Sequence, residues 1–468
     1  MNKMYDNVYV IDRDENTKIL YNAETSSIAL YSSKPDEINL KIKEVFKNDK
    51  IKDMVTPNNV IDRTWLKHLI ICSSETCNLA CKYCFANAGT YDRKGNKVMV
   101  FDDYKKIFEF ILNNYPDGVK VINFFGGEPL IGFSEIEKFI CYAEDVCRQK
   151  NITQPLFSVI TNGTLLTNEI VEFIIEHSVL VTISMDANKE CHDSMRVFKD
   201  GRGSYDTVLN NLKLLRDRGY TFEVESTVGE AFLRTYNAGS INEYFNNFYE
   251  LGAQNVSTYI ADYNNVNELP TEFERNIRTF YYDMVDYCFE MLQDEEKCMT
   301  VPITILNIII NIVTKRKAKY CTAGKESLFY TIDGVFYPCQ MYYEAKKDKI
   351  SSIFDNESNI KDKMNEFKKV DRSEIEKCKK CFCNRVCTLW CEGSSLLFNG
   401  NKKSVIESRC AVQRVITERV ILNLVKLVTN KEEYKNFSKN VKKLSINFSE
   451  ANFNSYEYYK KSLERVDN

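Results

Sequence analysis

The sequence holds only three histidines, two tryptophans and eight prolines in 468 residues. So few histidines leave little scope for the mixed imidazole sites that hold zinc or copper. Eight prolines and 17 glycines exclude a collagen-like or low-complexity chain. Neither charge dominates: 63 basic against 66 acidic residues give a net charge of −3. No basic face is implied, so nucleic acid is not the expected partner. The longest apolar stretch, Val301 to Thr314, contains Asn307 and Asn311. It is too short to span a bilayer and is expected to be a buried helix. The opening Met1-Asn-Lys-Met-Tyr-Asp6 has no apolar h-region of a secretion signal. A cytoplasmic chain with no membrane partner is therefore expected.

Cysteine is plentiful, with 17 residues. With no secretion signal a disulfide framework is disfavoured, and metal clusters account for the thiols more economically. The stretch Glu75-Thr-Cys77-Asn-Leu-Ala-Cys81-Lys-Tyr-Cys84-Phe85 sets three of them at C-x3-C-x2-C. Three thiolates on one short loop can bind three irons of a cubane [4Fe–4S] cluster and leave the fourth open to a small molecule. Structural zinc competes poorly, because it wants four ligands in a closed tetrahedron. Ordinary buried thiols would not need this spacing.

Residues 61–300 alternate strand and helix. Strands are expected at His68–Ser73, Val119–Phe125, Leu156–Thr161, Val179–Met185, Phe222–Val228 and Val256–Ile260. Helices are expected near 102–114, 133–150, 167–177, 204–219, 240–251 and 271–295. Such alternation predicts an α/β fold with a parallel sheet and right-handed crossovers. Six units are fewer than the eight that close a TIM barrel, so a partial (β/α)6 barrel is predicted, open on one side. In this register the cysteine loop, Gly126-Gly127-Glu128-Pro129, Thr161-Asn162-Gly163-Thr164 and Ser184-Met-Asp186 all follow strand ends. That rim carries the chemistry in parallel barrels.

The cysteine loop, with Tyr83 before its last cysteine, resembles the radical S-adenosylmethionine (SAM) enzymes. The resemblance implies that SAM chelates the open iron and that the reduced cluster cleaves it. A 5′-deoxyadenosyl radical then abstracts hydrogen from a substrate; the protein supplies geometry and exclusion. Gly126, Gly127 and Glu128 resemble the family's GGEP motif, which holds the SAM amino group. Glycines let a backbone approach closely, and a carboxylate accepts bonds from an ammonium. Asn162, Ser184, Asp186 and Arg196, the last in His192-Asp-Ser-Met-Arg196, match positions near the SAM ribose and carboxylate. Tyr83 is the implied adenine contact, through its backbone. A turn or surface contact is the plain alternative for each.

Cysteines return in residues 301–410. Cys321 precedes an expected hairpin with Asp333-Gly334 at its turn and Cys339 after it. Then follow Cys378-x2-Cys381-x5-Cys387-x3-Cys391 and Cys410. This resembles the SPASM extension of radical SAM proteins, which implies two auxiliary [4Fe–4S] clusters; a zinc ribbon is the alternative. By the family's interleaved order Cys378, Cys381, Cys387 and Cys410 would hold the outer cluster. Cys321, Cys339 and Cys391 would hold the inner one, leaving an iron open unless Cys383, Cys298 or water fills it. An open iron there could take a substrate thiolate. Cys72, Cys141, Cys147, Cys191 and Cys288 are expected to pack as small apolar side chains.

Residues 1–60 read as a small α+β unit, with strands at Val8–Ile11, Lys18–Tyr21 and Ser27–Leu30 and a helix over Pro35–Asn48. The order resembles precursor-peptide recognition domains, which take up a leader as an added strand. A plain sheet packed on the barrel is the alternative. Residues 411–468 read as a helical segment. The stretch from about 65 to 410 resembles SPASM peptide maturases, above all those of six-cysteine (SCIFF) and other cysteine-rich peptides of the ranthipeptide and sactipeptide type. That implies thioether formation in a cysteine-rich precursor peptide, with flavodoxin or ferredoxin as reductant. Formylglycine generation is the main alternative; those enzymes carry Asp directly after the cysteine of the G-x4-C element, where this chain has Gln340. Carbon–carbon crosslinking, epimerisation and a non-catalytic electron carrier or sensor are the others.

Overall fold

A computed structural model describes residues 3–5, 7–14, 17–31, 45–49, 63–92, 97–262, 269–318, 321–355 and 359–450, with no side-chain detail for 3–5 and 446–450. Six strands form the parallel sheet: β5 (Leu66–Ser74), β6 (Val119–Gly126), β7 (Leu156–Thr161), β8 (Leu180–Ser184), β9 (Phe222–Val228) and β10 (Ala253–Ile260). They lie in sequence order, so every crossover places the next strand beside the last. β7 and β9 have the bounds expected from sequence; the others shift by one to three residues.

Strand alternation sorts the side chains. Ile122 and Phe124 face outward, under the helices Phe101–Asn114 and Phe133–Lys150. There Phe139 stacks on Tyr104 at 5.0 Å and meets Phe124 edge-on at 6.0 Å. The register pairs Asn123 with Ser158, Thr182 with Glu223 and Ser184 with Glu225. Paired residues share a face, so these polar groups line the barrel interior. An apolar outer layer follows from this alternation, and the inner face mixes these polar groups with Ile70 and Leu180.

The sheet does not stop at β5. On its free edge β11 (Ser327–Tyr330) pairs in parallel, followed by antiparallel β12 (Val335–Tyr337) and β13 (Ser351–Ser352). The expected hairpin is therefore built into the barrel sheet, making nine strands in all. The boundary expected at residue 300 separates stretches of sequence but not hydrogen-bonded layers. The helix Ile303–Val313 is largely buried, as its composition predicts.

The N-terminal strands form an antiparallel meander of four: β1 (Lys3–Tyr5), β2 (Val8–Asp12), β3 (Lys18–Asn22) and β4 (Ser27–Tyr31). β1 was not expected. Val8, Val10, Leu20 and Tyr31 make a small core with Phe46 against it. Polar and aromatic contacts of this sheet run to the second cysteine field. Tyr9 donates to the Lys380 carbonyl at 2.6 Å, and its ring lies 5.3 Å from Phe382. On the other face of the sheet Ile11, Ile19 and Tyr21 join the main hydrophobic core, and the aromatic partner of Tyr9 comes from the loop around Cys381. Of the helix expected over Pro35–Asn48, only 45–48 falls within the described residues. Helices Glu407–Val428 and Lys431–Glu450 close the described chain. The first is tied to Thr271–Met291 by Arg419, which donates to Asp286 at 2.7 Å. Among the described residues no helix is long and apolar enough to cross a membrane.

Candidate active site

β5 ends at Ser74, and the chain turns at once into the loop of Cys77, Cys81 and Cys84. Two close backbone passages fix that turn. Gly127 donates to the Ser74 carbonyl at 2.7 Å and Glu128 to that of Thr76 at 2.9 Å. A Cβ on Gly126 would stand 2.3 Å from the Ser74 oxygen, and one on Gly127 2.1 Å from the Thr76 oxygen. Gly126 also has φ +135, a region side chains avoid. The two glycines thus let the β6 turn nest against the cysteine loop itself. This is the tight βα turn expected as the plain alternative for the motif, whatever ligand its glycines also approach.

The cysteine sulfurs sit in a partly desolvated pocket. Cys77 accepts from the Leu79 amide at 3.4 Å and lies 3.7 Å from Asn162 Nδ2. Burial pushes the Cys77 thiol up to about 12 and that of Cys81 to about 11; the Arg196 guanidinium pulls Cys81 back down. These thiols would be protonated until a metal took the proton's place. Among the described residues no three His, Cys, Asp or Glu converge at single-ion distances. A cubane, with one thiolate per iron, asks for no such convergence.

Glu128 is fully buried and holds three hydrogen bonds from the chain. Its Oε1 accepts from the Leu130 amide at 3.0 Å and Thr161 Oγ1 at 2.7 Å, and its Oε2 from the Asn162 amide at 2.8 Å. Burial nevertheless raises its pKa to about 7, against the pull of these donors. A carboxylate has about four acceptor sites, so Oε2 keeps capacity for a further donor. Asn162 joins the strand end to the cysteine loop: its Nδ2 donates to Asn78 Oδ1 at 2.9 Å and its Oδ1 accepts from the Thr164 amide at 2.9 Å.

On the same rim, after β8, Asp186 and Arg196 form a buried, bidentate pair, at 3.0 Å from Nε to Oδ2 and 3.2 Å from Nη2 to Oδ1. Tyr83 donates to the same Oδ2 at 2.8 Å, and its ring lies 5.2 Å from the guanidinium. The phenol and guanidinium thus lock the middle of the cysteine loop to the end of β8. His192 accepts from the Asp186 amide at 3.3 Å, and its other nitrogen lies 2.9 Å from Ser204 Oγ. Burial first, then Arg196, lower its pKa to about 4, so it is a neutral brace. Ser184 sits half-buried in the lumen beside Glu225. A cavity of about 230 Å³ opens against Asp186, Met195 and Ser226–Phe232.

The second field splits into two groups. Cys378, Cys381, Cys387 and Cys410 line one cavity of about 320 Å³. Cys339, Cys391 and Cys321 lie together elsewhere, close enough that the first feels the charge of the other two. Cys321 is exposed, and Gly393 packs where a Cβ would come within 3.2 Å of the Cys339 sulfur. Neither protein candidate for a fourth ligand of that group lies there. Cys383 is buried beside Cys381, lowering the latter's pKa through a thiol hydrogen bond. Cys298 donates to the Glu295 carbonyl at 3.2 Å. Cys72, Cys147 and Cys288 are buried as expected, and Cys191 is half-buried. Cys141 is exposed instead: it sits off the stripe of Ile136, Phe139, Ile140 and Ala143 that its helix buries.

Comparison with known proteins gives this rim a family. The profile of the Radical SAM superfamily matches residues 71–246, from β5 through the helix after β9. The chain carries a radical SAM domain. Such a domain uses SAM and one [4Fe–4S] cluster. An uncharacterized protein, MJ0907 of Methanocaldococcus jannaschii, is 36% identical over 163 residues, which is 35% of this chain and 53% of that one. This chain therefore spans about half the length of that relative. The radical SAM cyclopropyl synthase TigE of Paramaledivibacter caminithermalis is 25% identical over 76% of this chain and 74% of its own. The structure of native anSMEcpe with bound AdoMet superposes with a TM-score of 0.62 at 22% identity, covering 78% of this chain and 99% of that one. The two chains share a fold. The residues at the radical SAM rim fit the cofactors: three thiols on one loop, amide donors on Cys77 and a backbone turn shaped by two glycines.

Proposed function

We propose that this radical SAM enzyme modifies a ribosomally made, cysteine-rich precursor peptide, joining a cysteine sulfur to a carbon as a thioether. The observation that carries the reading is the three-thiol group of Cys321, Cys339 and Cys391 beside the barrel sheet, with no fourth cysteine at hand among the described residues. A three-thiolate cluster leaves one iron open, where a substrate sulfur can bind. Cys77, Cys81 and Cys84 hold the radical SAM cluster, and Cys378, Cys381, Cys387 and Cys410 the outer one. Bound together, cluster and SAM supply an organic radical that takes hydrogen from the peptide.

The chain's own residues position and exclude. Gly126, Gly127 and Glu128 present carbonyls and a carboxylate to the SAM ammonium. Asn162 fixes Cys77 and the loop. Asp186 and Arg196 hold Tyr83 so that its backbone edges the adenine. Ser184 would meet the ribose and the part of Arg196 not used by Asp186 the SAM carboxylate, while Asp186, whose oxygens accept from Arg196, Tyr83 and the Thr227 amide, would border the ribose and hold the others in place. Flavodoxin or ferredoxin supplies electrons. The N-terminal sheet offers strand edges to a leader peptide.

A second reading, carbon–carbon ring closure, is favoured by the cyclopropyl synthase among the relatives, the one that aligns over 76% of this chain. Formylglycine generation fits less well, because Gln340 cannot act as the carboxylate base. The test is the anaerobically reconstituted chain with SAM, reductant and a cysteine-rich peptide encoded beside it. Thioether formation removes two hydrogens per bond and one alkylatable thiol. A product lighter by two hydrogens that keeps all its thiols would establish ring closure instead.

A further inference from the structure

One ion pair stands between the last barrel strand and both outlying cysteine groups. Asp262 follows β10 and accepts from Arg409 Nε at 2.6 Å and from Nη2 at 2.7 Å. Asp262 is 9% exposed and Arg409 24%. The aspartate is held at the barrel rim by the strand before it. The arginine is held by the helix Glu407–Val428, one residue before Cys410.

Arg409 faces three ways. It lines the cavity of Cys378, Cys381, Cys387 and Cys410. It lies within electrostatic reach of Cys391, in the other group, and of Tyr259, on the barrel strand. Arg372, Lys377, Lys380 and Arg414 also line the outer cavity; Arg409 differs in addressing Cys391 as well. Its charge is permanent, since a guanidinium does not lose its proton in proteins.

A thiolate-held iron–sulfur cluster gains negative charge on reduction, and nearby charge is one of the levers on its potential. A fixed cation favours the reduced form. An aspartate clamped to that cation cancels part of the effect and keeps the guanidinium in place.

We propose that the Arg409–Asp262 pair is a positioning element that sets the reduction potential of both auxiliary sites: Arg409 raises it, and Asp262 limits the rise. The inference rests on the reading above, in which these seven cysteines hold clusters.

The experiment uses the full chain, reconstituted anaerobically, with iron counting and redox titration followed by electron paramagnetic resonance. Wild type, Arg409→Gln, Arg409→Lys and Asp262→Asn are compared. With about twelve irons each, Arg409→Gln should move the auxiliary signals to more negative potential. A tenfold fall in the reduced-to-oxidised ratio at fixed potential corresponds to 59 mV for one electron. Asp262→Asn should move them the other way, Arg409→Lys should restore most of the wild-type value, and the Cys77 site should stay put. A general loosening of the fold would not give opposite signs. Should Arg409→Gln lose iron, Arg409→Lys and Asp262→Asn carry the test. Unchanged potentials, or shifts of one sign in both charge variants, overturn the inference while leaving the clusters in place. A wild type with only about four irons overturns the underlying reading and this inference with it.

Discussion

Glu128 shows what a single buried carboxyl does to this protein. It has three protein donors yet is pushed to about 7 by burial. Its folded-state pKa therefore lies above the unfolded value near 4.5, so the folded chain binds the proton more tightly between those two pH values. By linkage, stability conferred by the protonated carboxyl is complete below about 4.5 and is lost as pH rises through 7. Chemical denaturation of the metal-free chain should show stability falling from pH 5 to 7.5. In Glu128→Gln that slope should be flatter, whatever the absolute cost of the changed hydrogen bonds. Glu223 adds a slope of the same sign, since enclosure in the lumen, and then the charge of Glu225, raise it to about 8. The cysteines carry a second prediction at this scale. Cys77→Ala, Cys81→Ala and Cys84→Ala together should remove about four irons and abolish formation of 5′-deoxyadenosine from SAM. Survival of cleavage in that triple variant would refute the assignment of the loop.

At the scale of elements, the cysteine loop and the β6 turn are one unit, pressed together across two glycines. Gly127→Ala would drive a Cβ into the Thr76 carbonyl, 2.1 Å away, and neither side is a flexible side chain. The expected cost is about 1–3 kcal/mol, the usual range for overpacking, with iron lost from the Cys77 site ahead of the second field. Metal analysis of the variant distinguishes local from general damage. The strands and helices of the barrel were legible in the sequence because a β-branched run followed by a 3.6-residue stripe leaves little choice. The short helix Glu230–Thr235 and β13, two residues long, were not legible, since elements that short carry fewer than two periods of any pattern. Cys141 was misjudged for a related reason: its chemistry suggests burial, but its place on the helix decides.

Across the whole molecule the nine-stranded sheet joins what the cysteine spacing divides. β11 pairs with β5 from Ser327–His68 to Tyr330–Ile71, so the strand that launches the cysteine loop is shared with the second field. Behind it the Tyr343 hydroxyl donates to Glu75, and its ring lies 5.0 Å from Tyr91. Barrel and second field should therefore unfold in one cooperative transition. A chain cut after residue 300 would bare the edge of β5 and should aggregate; light scattering during refolding would show it. The N-terminal sheet is a looser partner. Tyr9→Ala removes an aromatic pair worth about 0.5–1.5 kcal/mol and a hydrogen bond worth about 1 kcal/mol. A lowered urea midpoint should record that loss, and an unaffected midpoint would mean that the docking on Phe382 contributes nothing.

The division of the outlying cysteines into two sets came from the resemblance to the SPASM extension; by itself the sequence determined the C-x3-C-x2-C loop, the six βα units and the Asp333-Gly334 turn. These are local facts: ligand spacing within ten residues, periodicity within one strand or helix, and a turn dipeptide. Tertiary structure decided what those facts mean for each other. It decided that Gly126 and Gly127 nest against the cysteine loop, that Tyr83 of that loop meets Asp186 beyond β8, and that Arg409 stands between two groups of thiols. Each depends on segments many residues apart meeting at atomic distance, which no spacing along the chain records.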